Sequence, residues 1–512
     1  LPKQLILGAR SSVLSKLQAH TVGKALLRHN KGIKVQYHFK ESQGDKDLTT
    51  PLWKTAGQGI FTKDLQEDLL SGKIDAIIHS WKDLDLTERK GTKVISVLPR
   101  ADQRDVLLFK RSKWIHSPET LYFLTSSPRR EHNLSVFFKE FLPTPLSHLP
   151  IKFESVRGNI QTRIKKFLEM DVSGIVLAKA ALDRLLDSSS LDEDIPELKE
   201  TRNFLRESLN QCLFIVLPLS QNPNAPAQSA PCAEIREEDT DILSFFETLK
   251  DANTELSVVK ERNILKNYGG GCHQKIGVSI LQKAYGEVQF LRGETEEGEK
   301  IGKKEISNLF HSRFSKEEVW PPLAKMAARQ RERLGYRVPD KSDIFVSRGY
   351  AFPLDLSVNP SQQILWAAGL STWKDLSKRG FWVHGTADGL GEAEDPNIHI
   401  LLGKKPNFIK LSHAESDTSY STYPLVATYL VSAPEIPIEF QPEKVKAAYW
   451  RSGSEFEIIT KRFPELKNVI HFVGPGSTYI KIKRALGEAG EGKVFVSLSF
   501  EHWVENYISK EK

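Results

Sequence analysis

Five times in the first 180 residues an apolar run of strand character passes through a short polar turn into a helical pattern. The runs are QLILGA, DAIIHS, LYFLTSS, FESVRG and SGIVLAKA. Strands that alternate with helices in this way pack as a mostly parallel sheet flanked by helices, so the alternation restricts the chain to the α/β class. After the first run, Ser11 or Ser12 is suited to cap a helix with Leu14, Leu17, Thr21 and Ala25 on one face. Ligands of such sheets bind beyond the carboxyl ends of the strands, where helix N-termini present unpaired N–H groups. The turns are therefore where function is sought.

The turns share a chemistry. The first carries Arg10, Ser11 and Ser12, and the second carries Ser80, Lys82 and Asp83. In the third, TSSPRR, Ser126 or Ser127 can cap a helix that Pro128 opens, which puts Arg129 and Arg130 in its first turn. Arginine there opposes the positive end of the helix dipole, and an anionic ligand explains the pair most simply. Arg157 with Arg163, and then Arg184, repeat the pattern. One arginine near a helix start is usually a solvated surface residue. Five turns alike describe a cleft lined with guanidinium groups, which suit a polycarboxylate and also accept phosphate. Asp83 is the acid among these bases. It reads either as a salt bridge to Lys82 or a neighbouring arginine, or as a catalytic carboxylate that stabilises a developing cation.

With 512 residues the chain has room for about three domains. Its 72 Lys and Arg against 65 Asp and Glu leave a net charge of +7, too small over this length to argue for nucleic-acid binding. The longest apolar stretches, such as CLFIVLPL, fall short of a bilayer span of about 20 residues. The opening LPKQLILGAR lacks the pattern of a secretory signal, so no membrane association and a cytoplasmic location are expected. Cys212, Cys232 and Cys272 form no CxxC pair, and neither a disulfide framework nor a metal site is expected. Cys272 directly follows Gly269, Gly270 and Gly271, a turn that lets something bulky approach the backbone, and its thiol reads as a nucleophile or an attachment point. Residues 218–233, PLSQNPNAPAQSAPCA, read as an interdomain connection. PPLAKMAARQRERLGY reads as a helix ending near Val338, PDKSD as a second linker, and the final 170 residues or so as another α/β unit.

At these residues the chain resembles the porphobilinogen deaminase (hydroxymethylbilane synthase) family. The resemblance runs in order through GARSSVLSKLQA, QGD, GQGIFTKDL, DAIIHSWKDL, DQRDVLLF, TSSPRR, VRGNIQTRIKKF, GIVLAKAALDRL and ERNILKNYGGGCHQKIGV, over roughly residues 4–300. It implies a transferase that joins four porphobilinogen molecules head to tail with loss of ammonia, giving a linear hydroxymethylbilane. It also implies a dipyrromethane cofactor on a cysteine thioether, here Cys272, and a catalytic aspartate at Asp83 beside Lys82. Carboxylate-binding residues fall on Arg10, Lys82, Arg129, Arg130, Arg157, Arg163 and Arg184, with Lys82 also counted as catalytic and Ser12, Thr125, Ser126 and Ser127 as polar partners; Asp83, Ser127, Arg129 and Arg130 are assigned to the cofactor. The implied fold is a multidomain α/β protein. Two domains like a periplasmic binding protein enclose the cleft, at 1–100 (completed by about 206–222) and 101–205. A small α+β third domain at 223–338 bears the cofactor cysteine. Porphobilinogen and the linear tetrapyrrole are the expected partners, and a monomer is expected.

The chain departs from the family pattern in places. PAxGQGA reads PAQSAPC here, Gln43 and Gln58 stand where a basic residue is common, and Asp85 replaces the proline after the KD motif. Residues 339–512 resemble uroporphyrinogen III synthase at AAGLSTWKDLSKRG, VGPGSTYIKIKRALG and VFVSLSFEHWVE, where Ser477 or Thr478 at a helix start could hold a carboxylate. A second activity is the corresponding expectation. The alternative reading for the whole is a non-catalytic binding protein for a polycarboxylate small molecule.

Overall fold

The computed structural model describes residues 3–41, 63–86, 89–187, 189–270, 274–307, 310–323, 329–416, 423–432 and 436–509. The expected alternation begins at the N-terminus. Lys3–Arg10 is a strand, and the Ser12 side chain accepts the Ser15 amide at 3.3 Å to cap the helix Val13–His29. Ser127 caps Pro128–Phe141 and Asn159 caps Ile160–Glu169 in the same manner. Each cap satisfies one of the amides that a helix start leaves unpaired.

The first sheet runs in the order Ile33–Lys40, Lys3–Arg10, Ala76–Ser80, Pro231–Arg236, Thr92–Ser96. Its first three strands are parallel, and Pro231–Arg236 is antiparallel to both neighbours. The second sheet runs Ile151–Glu154, Leu121–Leu124, Gly174–Ala178, Asp105–Lys110, Cys212–Val216, with Asp105–Lys110 as the reversed strand. The return to the first sheet was expected at 206–222. It is made instead by Pro231–Arg236, and Cys212–Val216 is the edge strand of the second sheet. Both runs are short and apolar, and periodicity does not tell which sheet such a run joins.

The third unit is an antiparallel meander of Gly277–Lys283, Gly286–Glu294 and Lys300–Ile306 with the helix Ala252–Lys266 packed on it. Beyond it lie two lobes. One has the strand order Arg331–Arg333, Leu425–Val431, Phe408–His413, Asp343–Val346, Leu365–Ala367, Gly385–Thr386; the other has Val319–Trp320, Ala447–Trp450, Ile470–Val473, Val494–Val496. The helix expected across 321–336 is corrected over its described residues, 321–323 and 329–336. Arg331–Arg333 is an edge strand whose backbone pairs with Tyr429–Val431, and that pairing overrides the local helical preference. The C-terminal unit also begins earlier than residue 339, because Val319–Trp320 already pairs with Ala447 and Ala448.

This unit does not hang from a linker. Ile344, Val346, Leu365, Trp373, Leu376 and Trp382 share one apolar cluster with Leu107, Phe109, Phe137, Phe138 and Phe141 beneath the second sheet. Trp373 stands edge-on to Phe137 with ring centres 5.4 Å apart and donates its Nε1–H to Phe141 O at 3.0 Å. Trp382 Nε1 donates to Phe214 O at 3.0 Å, and the Val216 amide donates to His384 O at 2.8 Å.

Candidate functional site

Ala76–Ser80 ends in the short turn Trp81–Asp83, and buried Trp81 anchors that turn among Leu84, Ala227, Ala230, Cys232 and Val258. The anchor leaves the Asp83 side exposed and Lys82 partly buried. Lys82 Nζ donates to Gln228 Oε1 at 3.4 Å. Burial pushes the Lys82 ammonium below the ordinary lysine range; Asp83 and Asp105 oppose this, and Arg130 and Arg129 reinforce it. Among the described residues Asp83 forms no ion pair, and its charge acts on Lys82 and Arg163.

On the opposite side, Ser126 Oγ donates to Val156 O at 2.6 Å and accepts the Val156 amide at 3.0 Å, which joins the TSSPRR and VRGN turns. Thr125 Oγ1 accepts the Ser127 amide at 3.3 Å. Arg129 and Arg130, expected to meet the cofactor directly, are buried on Asp105. Arg130 holds it through Nε at 3.0 Å and Nη2 at 2.7 Å, and Arg129 through Nη2 at 2.9 Å. Asn222 Nδ2 and Gln228 Nε2 each donate to the same carboxylate at 2.9 Å. Burial would raise the Asp105 carboxyl, but Arg130 and then Arg129 outweigh it and hold the group well below the usual carboxylate range. Asp105 was not singled out from the sequence, yet DVLLF carried a signal. An acid that opens a strand this apolar cannot be buried without cationic partners. Asp105→Asn leaves two buried guanidinium groups short of a counter-charge and should cost about 3–5 kcal/mol. Urea unfolding checks this, and a loss under about 1 kcal/mol would contradict it.

Arg10, Arg157 and Arg163 share one electrostatic neighbourhood. Arg163, on Ile160–Glu169, donates Nε–H to Gly158 O at 2.7 Å. Its pKa is lowered to about 10 by burial first and by Arg130, Arg157 and Arg10, with Asp83 opposing. Arg163 thus lies in the field of groups from both sheets, Arg10 and Asp83 from the first and Arg130 and Arg157 from the second. Arg184 donates Nη2–H to Ser229 O at 2.7 Å, and burial lowers its pKa to about 10 against Asp183. Ser12 and Ser127 serve as helix caps. The PAQSAPC segment keeps left-handed backbone without glycine: Ala227 has φ +64° and Ser229 φ +71°.

Cys272, Gln43 and Gln58 lie outside the described residues. The chain leading to Cys272 is held against the Asp83 turn. Arg262, on Ala252–Lys266, donates to Leu84 O at 3.1 Å and to Asp85 O. Gly269 and Gly270 have φ of +92° and +67°, and a Cβ at Gly270 would come within 3.0 Å of Leu86 Cδ1. The left-handed backbone is what favours glycine at both positions. Cys212 and Cys232 are buried as expected of small apolar residues; burial pushes the Cys212 thiol up to about 12 and Cys232 well above its usual range. Because the thiolate is the reactive form, iodoacetamide at pH 8 should label neither until denaturant is added. Peptide mapping of the native protein checks this, and a carbamidomethyl group on either would contradict it. Among the described residues, no group of three or more His, Cys, Asp and Glu is arranged to hold a metal ion, and no helix is long and apolar enough to cross a membrane.

Residues 5–244 match the family described as porphobilinogen deaminase, dipyrromethane cofactor binding domain. The porphobilinogen deaminase of Chlorobaculum tepidum is 31% identical over 279 residues, spanning 54% of this chain and 79% of that protein. That of Clostridium novyi is 30% identical over 306 residues, spanning 59% and 92%. Among solved structures, the benzoate-bound effector-binding domain of BenM aligns at a TM-score of 0.26 and 14% identity over 52% of this chain and 95% of that one, too slight a likeness to carry an argument. The ordered motifs of the two sheets, the Asp83 turn with its arginines and the extent of the match to these relatives place the chain in the porphobilinogen deaminase family of transferases, with its dipyrromethane-cofactor-binding domain.

Proposed function

We propose that the chain condenses four porphobilinogen molecules head to tail with release of ammonia, giving linear hydroxymethylbilane, and that Cys272 tethers its dipyrromethane. The observation that carries this reading is the shared electrostatic surroundings of Arg163, into which Asp83 and Arg10 come from one sheet and Arg130 and Arg157 from the other. The residues fit the group. Each pyrrole bears an acetate and a propionate, so an anionic ligand offsets the burial and, after it, the arginine repulsion that lower Arg163, while Asp83 is an acceptor for pyrrole N–H. When bound, dipyrromethane supplies the free pyrrole carbon on which the chain is extended.

The side chains divide the work. Asp83 accepts substrate N–H groups and stabilises the positive charge that develops on porphobilinogen as ammonia leaves. Lys82, whose charged form is disfavoured by burial, gains from an anionic neighbour and so favours substrate carboxylates. Arg10, Arg157, Arg163 and Arg184 neutralise the carboxylates that accumulate with each added unit. Arg129 and Arg130 act from beneath, since Asp105 fixes them and Arg130 in turn acts on Arg163. Membership of a transferase family weighs against a binding protein without chemistry.

A second activity, conversion of hydroxymethylbilane to uroporphyrinogen III, is supported by how the last two lobes meet. Gly391 and Gly476 touch, such that a Cβ on Gly391 would lie 2.7 Å from Gly476 Cα. Gly476 precedes the helix Ser477–Leu486. Basic groups gather at the same junction. His413 of one lobe is lowered to about 4 by burial, then by Arg348, Lys410 and Arg329, while Glu455 of the other is raised by burial against Arg329 and Arg451. Incubation with porphobilinogen, followed by oxidation and chromatography of the porphyrins, tests both parts. Ammonia release with the type III isomer supports both activities, the type I isomer alone removes the second, and no consumption of porphobilinogen removes the first.

A further inference from the structure

The C-terminal unit touches the charged base of the second sheet through residues 388–397. Asp388 and Asn397 there have φ of +56° and +52°, a left-handed backbone that Asp and Asn adopt more readily than other non-glycine residues. Their atoms are used. Asp388 accepts the Ser220 amide at 2.9 Å, Pro396 O accepts Arg104 Nη2 at 2.9 Å, and Asn397 Nδ2 donates to Asp102 Oδ2 at 3.2 Å. Segment 396–397 thereby grips both members of the Asp102–Arg104 pair, which are themselves joined at 2.6 Å.

From Asp102 two short paths lead to Arg184. In one, the Asp102 backbone carbonyl accepts Ser229 Oγ at 2.9 Å, and Ser229 O accepts Arg184 Nη2 at 2.7 Å. In the other, Asp102 Oδ2 meets Lys179 Nζ at 3.3 Å, and Lys179 opens the helix Lys179–Leu186 that carries Arg184. Lys179 also pairs with Asp183 at 2.5 Å, one residue before Arg184. Ser229 stands in the segment where the family pattern has glycines, so the hydroxyl that completes the first path is a departure of this chain.

We infer that Asn397 is a positioning residue for the porphobilinogen condensation, holding Arg184 at the cleft from the C-terminal unit by way of Asp102 and Ser229. The inference rests on Arg184 binding substrate carboxylates, as proposed above. It makes the deaminase reaction depend on a residue far outside the matched segment 5–244.

Steady-state kinetics with porphobilinogen on full-length variants tests it. Asn397→Gly tolerates the left-handed backbone and deletes only the amide, and Ser229→Gly deletes only the hydroxyl. Each should raise KM about three- to tenfold with kcat within about twofold, and the double variant should raise it no further than either alone. Asn397→Asp, which sets a second carboxylate against Asp102, should raise KM more than Asn397→Gly. Arg184→Gln serves as the reference. If it raises KM while Asn397→Gly and Ser229→Gly do not, the positioning role is overturned and the reading of Arg184 stands. If it leaves KM unchanged, both fall. A lowered melting temperature at unchanged KM would make Asn397 structural only and also overturns the inference, and should Asn397→Gly fail to fold, Ser229→Gly decides the outcome by the same criteria.

Discussion

Asp83→Asn is expected to fold like the parent and to lose about 10²–10³-fold in kcat for porphobilinogen consumption. The two halves of this prediction have separate causes. The Asp83 side is exposed and, among the described residues, forms no ion pair, so its replacement removes little native-state stabilisation, and surface changes of this kind usually alter stability by less than about 0.5 kcal/mol. The amide can still accept one pyrrole N–H, but it carries no negative charge to set against the cation formed as ammonia departs. Stopped-time ammonia assays and thermal melting measure the halves independently. A variant that melts early with proportionate activity would return Asp83 to a structural role.

Ending the chain at residue 338 is expected to give protein that does not accumulate in soluble form. A two-unit chain joined by a linker would tolerate this cut, and the packing here does not. Removal of Trp373, Leu376 and Trp382 uncovers Phe137, Phe141 and Phe109, and removal of Trp366, Ile398 and Leu401 uncovers Val106, Leu108, Leu182 and Leu185. Fully burying one such side chain is worth about 1.5–3 kcal/mol, and several together exceed the roughly 5–15 kcal/mol by which a whole domain is stable. The cut also strands Val319–Trp320 and Arg331–Arg333, whose partner strands lie beyond it. Soluble yield and size-exclusion chromatography of the 1–338 fragment decide the matter. A soluble, monomeric and active fragment would show that the shared core is dispensable.

What the sequence disclosed follows from which interactions are local. Ser12 and Ser127 were legible as caps because a cap bonds an amide three residues away. Arg10, Asp83, Arg157 and Arg163 were legible as one constellation because α/β topology brings strand ends together whatever lies between them. The partner of Arg129 and Arg130 was not, since Asp105 sits more than twenty residues earlier and only the sheet joins them. Nor did Pro231–Arg236 show which sheet it completes, because a short buried strand carries no mark of its neighbours. The helix expected before Val338 gave way to pairing with Tyr429–Val431, a contact about 100 residues distant. The shared core was hidden for the same reason, as Trp373 and Trp382 look like the interior of their own unit until Phe137 and Phe214 are placed beside them.

In the proposed reaction the Asp83 turn and the Gly269–Gly270 flank serve a dipyrrole tethered at Cys272. Intact mass spectrometry of the protein, purified from cells able to make porphobilinogen, tests it most directly, with Cys272→Ser prepared in parallel. The parent is expected to be heavier than its sequence by one dipyrromethane, peptide mapping to place the addition at Cys272, and the serine variant to have its sequence mass and no turnover. A parent of unmodified mass that nevertheless condenses porphobilinogen, or an active Cys272→Ser variant, would contradict it.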